Sequence, residues 1–180
     1  MKKIVLVLCA LLAAGMFIGC SSSKKETGSA EWWHNEYLCD KIASEVMGEP
    51  AIATVGTSTL SKTTAEKAAR ANGRAELARR MGSTISAAAA ESRGEELGEE
   101  AKQAYQDEST QIANQVLSGS AQVNYYFDEN DGTTYVMIAM PLEGLDKKLQ
   151  SASMKTNNKD VREFMNTLTI DQLKLMFNVK

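Results

Sequence analysis

Residues 51–90 read AIATVGTSTLSKTTAEKAARANGRAELARRMGSTISAAAA, and the fold turns on the change of period inside this stretch. Ala51 to Thr57 alternates and carries β-branched residues, which predicts a strand. From Thr63 the period lengthens. Ala65, Ala68, Ala69, Leu77, Met81, Ile85 and Ala88 or Ala89 recur every three to four residues, the mark of one helix face. Thr63-x-x-Glu66 has the form of a capping box and predicts the helix start. Arg70, Arg74, Glu76, Arg79 and Arg80 fall mostly off the stripe. Small side chains along the stripe let the helix lie close against a sheet or another helix. Gly82 interrupts it at a cost of about 1 kcal/mol relative to alanine, which marks a tight packing contact or a kink.

Downstream, residues 91–104 are polar, contain Gly94 and Gly98, and predict a loop or helix break. A second helical pattern runs through Ala101, Tyr105, Ile112, Ala113, Val116 and Leu117 and stops at Gly119. Residues 121–127 and 133–140 are β-rich and flank Asp128-Glu129-Asn130-Asp131-Gly132, the clearest hairpin signal in the chain. Pro141 ends it. Leu142, Leu145 and Leu149 predict a short helix over 142–152, and 153–159 reads as a linker. The final segment, 160–178, is strongly apolar, and Thr169-x-x-Gln172 is a second capping box within it. Such a tail must pack on its own domain, on a partner, or on a membrane. Upstream, Trp33, Tyr37, Leu38, Ile42 and Val46 predict an amphipathic helix closed by Gly48 and broken by Pro50. The sum is an α+β fold: strand, helix, helix, hairpin, with a long Ala-rich helix on a small sheet and a C-terminal helical tail.

The first residues carry an address. Lys2 and Lys3 precede an uncharged apolar run, Ile4 to Ile18, a little short for a membrane span, which needs about 20 apolar residues. Phe17-Ile18-Gly19-Cys20 then resembles the lipobox of bacterial lipoproteins, with Phe17 where leucine is commoner. The resemblance implies a diacylglycerol thioether on Cys20, cleavage before it, and acylation of the new amine. Two or three acyl chains anchor stably where one does not, since each buried methylene contributes roughly 0.8 kcal/mol. Ser21 after the cysteine resembles an outer-membrane sorting signal. Residues 20–30 hold no large apolar side chain and read as a disordered tether. The expected organisation is a signal peptide over 1–19, the tether over 20–30, an α+β domain over 31–152, and a linker with helical segment over 153–180.

Without residues 1–19 the chain keeps 161 residues, enough for one domain, and its formal net charge moves from −3 to −5 as Lys2 and Lys3 leave. A mildly acidic chain with no dense basic stripe is a poor nucleic-acid binder. Cys9 leaves with the signal, so Cys39 is the remaining free thiol, either a small half-buried hydrophobe or half of an intermolecular disulfide. His34 is the single histidine. There is no His-x-x-x-His, Cys-x-x-Cys, Gly-x-Ser-x-Gly or phosphate-cradling loop, which argues against an enzyme. Asp128 to Gly132 lacks the alternating acids and distal Glu of a calcium loop and reads as a solvated turn. Glu95, Glu96, Glu99 and Glu100 read as hydrated. No metal site or cofactor beyond the acyl groups is expected.

Val55-Gly56-Thr57-Ser58, the alanines 65, 68 and 69, and Asn72-Gly73-Arg74-Ala75-Glu76-Leu77-Ala78-Arg79 resemble the core of the Lpp-twenty lipoprotein family and its flagellar relatives of the FlgP type, with Tyr135-Val136 matching a later hairpin. Gly73 stands where that family usually has alanine, and a clean Pro-x-Trp before the first strand is missing. The resemblance covers roughly 50–145. It implies a non-catalytic role in the cell envelope at the outer membrane, with self-association in the flagellar relatives. Trp32, Trp33, Leu173, Met176 and Phe177 form the candidate partner surface, for self-association or other envelope proteins. The alternative is a module binding a small ligand or cell-wall saccharide, with Trp32 and Trp33 stacking on the sugar.

Overall fold

A computed structural model describes residues 32–93 and 99–179. Residues 1–19, the lipobox and the tether lie outside the described residues, as do Glu95 and Glu96. The chain is α+β, with a three-stranded antiparallel sheet covered by helices on both faces.

A short 3-10 turn, Trp32–His34, leads into helix α1, Glu36–Met47. Asn35 caps α1 by accepting a bond from the Leu38 N–H, and Gly48 closes it at φ 73°. The cap corrects the sequence reading. The helix starts at Glu36, and its buried stripe is Cys39, Ile42 and Ala43, while Tyr37 and Val46 of the expected stripe face solvent. Strand β1 follows at Ala51–Ser58.

Helix α2 spans Lys62–Arg93, longer than its Thr63 capping box predicted at the start. The Ser61 carbonyl accepts the first N–H groups, from Thr64 and Ala65, so Thr63 lies inside the first turn. Helix α3, Glu99–Val116, and a 3-10 turn, Leu117–Gly119, come next. The expected break over 91–104 narrows accordingly, because helix continues into it from both sides. Strands β2, Ala121–Phe127, and β3, Thr134–Pro141, form the expected hairpin. Its turn is built locally: Asp128 accepts from Asn130, Asp131 accepts from the Thr133 N–H, and Gly132 supplies φ 73°. Helices α4, Leu145–Ser153, α5, Lys159–Thr167, and α6, Ile170–Met176, complete the chain. The Thr169–Gln172 capping box is formed with both bonds present.

The strand order is β1-β3-β2. Alternation along the strands divides the core in two. Ile52, Val136, Ile138 and Met140 meet Leu77, Met81 and Ile85 of α2 and Ile112 of α3 on one face. Ala51, Ala53, Met137 and Ala139 meet Trp32, Cys39, Ile42 and Ala43 on the other. Both sheet faces are therefore buried near the middle, which removes the polar-out alternation of a half-exposed sheet.

Close backbone approaches lock this arrangement. A Cβ on Gly56 would overlap the Ala69 carbonyl oxygen and the Gly73 backbone, so β1 and α2 cross with no side chain between them. A Cβ on Gly73 would stand 2.8 Å from Ile138 Cγ1. Gly82 is a packing contact and not a kink: α2 continues through it, and an added Cβ would reach the Thr110 Cα of α3 at 2.7 Å.

Candidate functional site

The two edges of the sheet are treated differently. At the β1 edge, side chains occupy the outward backbone groups. Ser44 of α1 bonds the Ala51 N–H at 3.0 Å. Asp40 Oδ1 accepts the Ala53 N–H at 2.7 Å, and Arg80 of α2 donates to the Ala53 carbonyl at 2.8 Å. Asn72 donates to the Thr57 carbonyl at 2.8 Å. Arg80 also grips Asp40 through two bonds of 2.7 Å, with Glu36 at 3.8 Å and the Phe177 ring 5.9 Å below the guanidinium. Burial opposes charge on Arg80, but the hydrogen bonds and charge of Asp40 outweigh it and raise its pKa. A strand edge occupied in this way cannot accept another strand.

Along Ala121–Tyr126 of β2, no side chain of another described element bonds the strand backbone in this way. Its main packing is with β3, Val123 and Tyr126 also touch the second core, and each of its residues is half-buried or exposed. The strand AQVNYYF has no charge, and Tyr125 is 39% exposed. Near its middle the register with β3 shifts between Gln122 and Asn124, a bulge at Val123, and the Asn124 side chain turns back to accept the Tyr125 N–H.

An aromatic cluster joins this edge to the start of the domain. Trp33 stacks on Tyr126 of β2 with centroids 4.3 Å apart and planes 7° from parallel, and lies 5.3 Å from Tyr135 of β3. Burial, with Asp131 and Asp128 nearby, pushes the Tyr135 hydroxyl above its usual pKa. A cleft of about 200 Å³ opens beside Trp33, lined by His34, Asn35, Glu36, Val55 and Glu76 among others.

No protein-family model, curated protein sequence or solved structure matches the chain.

The candidate partner surface is corrected by burial. Leu173 is fully enclosed, Phe177 and Trp32 are 5% exposed, and Met176 packs half-buried against the same core. The apolar tail is consumed inside its own domain, so the expected boundary at 152 does not separate it: residues 31–180 form one compact unit. Trp33, like Met176, stays partly accessible, with Tyr126 covering one ring face. Cys39 is buried and its thiol donates to the Trp32 carbonyl at 3.0 Å. Burial, then the Asp40 charge, pushes that thiol up to about 12, so an intermolecular disulfide through it is sterically and chemically disfavoured. Among the described residues, no cluster of metal-ligating side chains is present and no helix is long and apolar enough to cross a membrane. The Arg80–Asp40 pair was not visible in the sequence, because its partners are 40 residues apart and Arg80 sits among other helix charges.

Proposed function

We propose that the protein is a lipoprotein of the outer membrane, held by acyl groups on Cys20, whose domain has a structural role and assembles with further copies of itself. The observation that carries the anchoring is the sequence Phe17-Ile18-Gly19-Cys20 followed at once by polar residues. Eleven residues lie between Cys20 and Trp32, so even a fully extended tether would reach only about 40 Å and keep the domain near the membrane surface. The resemblance to the Lpp-twenty lipoproteins points the same way. The assembly half of the reading rests on the contrast between edges: β1 is sealed by four side chains, while β2 offers an uncharged strand to a neighbour.

The experiment is intact-mass analysis of the protein from its own membranes, beside a Cys20→Ser variant. The reading predicts a mass starting at Cys20 with added acyl groups, and a variant that keeps its signal and carries no acyl mass. An unacylated mature chain in the wild type would refute it. Binding of a saccharide is the second reading, favoured by the cleft beside Trp33. It ranks lower because Trp32 is buried and the cleft falls below the roughly 300–1,000 Å³ of ordinary ligand sites.

A further inference from the structure

At the end of the sheet away from Trp33, the C-terminus of α3 and the length of α4 border an open groove of about 410 Å³. Lys147, Lys148 and Lys155 line it with Ser118, Ser151 and Gln115. No carboxylate is among the lining residues, so every polar side chain there is able to donate a hydrogen bond. This is unusual for a chain of net negative charge. Four helix cations elsewhere are matched, Arg70 with Glu66, Arg79 with Glu76, Arg80 with Asp40 and Lys159 with Glu163, while Lys41, Lys67, Arg74 and Lys174 stand singly and do not share a groove with two other lysines. Among the described residues, Lys147, Lys148 and Lys155 make no ion pair; Lys148 is felt only at a distance, by Glu49.

Helix ends do not explain the cluster. The α3 C-terminus contributes about half an elementary negative charge, far short of three ammonium groups. Lys147 and Lys148 also occupy the first turn of α4, the positive end of that helix, where cations are disfavoured. An anion in the groove relieves both effects. The three cations are all lysines, compact point charges that hold an anion by charge rather than by a planar fork, which suits a multiply charged phosphate. We infer that this groove binds a phosphate-bearing ligand carrying more than one negative charge, either a soluble phosphate compound or an anionic lipid headgroup.

The test is calorimetric titration of the full acylated chain in neutral maltoside micelles. One arm adds sodium tripolyphosphate, and the other adds maltoside micelles doped with phosphatidylglycerol. A variant carrying Lys147→Gln, Lys148→Gln and Lys155→Gln is compared with one carrying Lys41→Gln, Lys67→Gln and Lys159→Gln. Circular dichroism checks that both remain folded. The expected result is saturable binding in at least one arm, weakened by roughly tenfold or more in the groove variant and about unchanged in the control, since surface charge contacts contribute modestly each and sum over three. Binding in the first arm alone assigns a soluble ligand, and in the second alone a headgroup. Absence of saturable binding in both arms, or equal weakening in both variants, overturns the inference.

Discussion

Gly56 and Gly73 meet where β1 crosses α2, and their lack of side chains sets the distance between helix and sheet. Alanine at position 56 would collide with backbone on both sides, which cannot yield as a flexible side chain does. Gly56→Ala is expected to cost at least about 3 kcal/mol in urea unfolding, the upper end for overpacking. Gly73→Ala should cost less, because the sharpest clash falls on the Ile138 side chain, the Gly56 backbone nitrogen stands off at 3.1 Å, and alanine regains about 1 kcal/mol of helix propensity. Equal, near-zero effects would contradict the close crossing. The Asp40–Arg80 pair makes a second residue-scale prediction. Asp40→Ala leaves a guanidinium that is 13% exposed without its carboxylate, and strips the Ala53 N–H of its acceptor. The expected loss is roughly 3–5 kcal/mol by denaturant titration. A loss below about 1 kcal/mol would mean that Arg80 relaxes into solvent.

Among elements, the tail is the instructive case. Its apolar content was plain in the sequence, but its destination was not, because periodicity reports that a face is buried and not what buries it. Leu173 sits in the main core, and Phe177 lies under Arg80, so the tail closes the domain. Leu173→Ala should therefore destabilise by about 2–5 kcal/mol while leaving the native mass of the folded protein unchanged. A variant of unaltered stability but altered oligomeric mass would restore the tail as a partner surface. The hairpin and the long α2 were legible for a local reason: an Asp-Gly turn and an alanine-rich 3.6-residue period act within their own segments. Helix α1 buries a different face from the one that the spacing of Trp33, Tyr37 and Val46 marks, because the Asn35 cap starts the helix at Glu36 and leaves Trp33 outside its period. Strand order, with β1 beside β3, and the sealing of one edge depend on pairings far apart in sequence, and no local pattern encodes them.

For the whole molecule, a domain with one sealed and one unsealed sheet edge has a single strand direction in which to extend. Pairing β2 with its equivalent in a second copy continues the sheet across a two-fold axis and brings no like charges together, since the strand carries none. The lysine groove and the Trp33 cleft lie toward opposite ends of the domain, so neither site is blocked by the other. Tyr125→Lys places a positive charge on each of the two facing strands, the device by which natural edges avoid pairing. The decisive measurement is the native mass of the acylated protein, extracted gently from its own membranes, for wild type and Tyr125→Lys side by side. Assembly through β2 predicts a dimer or larger species in the wild type and a folded monomer in the variant. A wild-type monomer, or an oligomer that the lysine leaves intact, would contradict it.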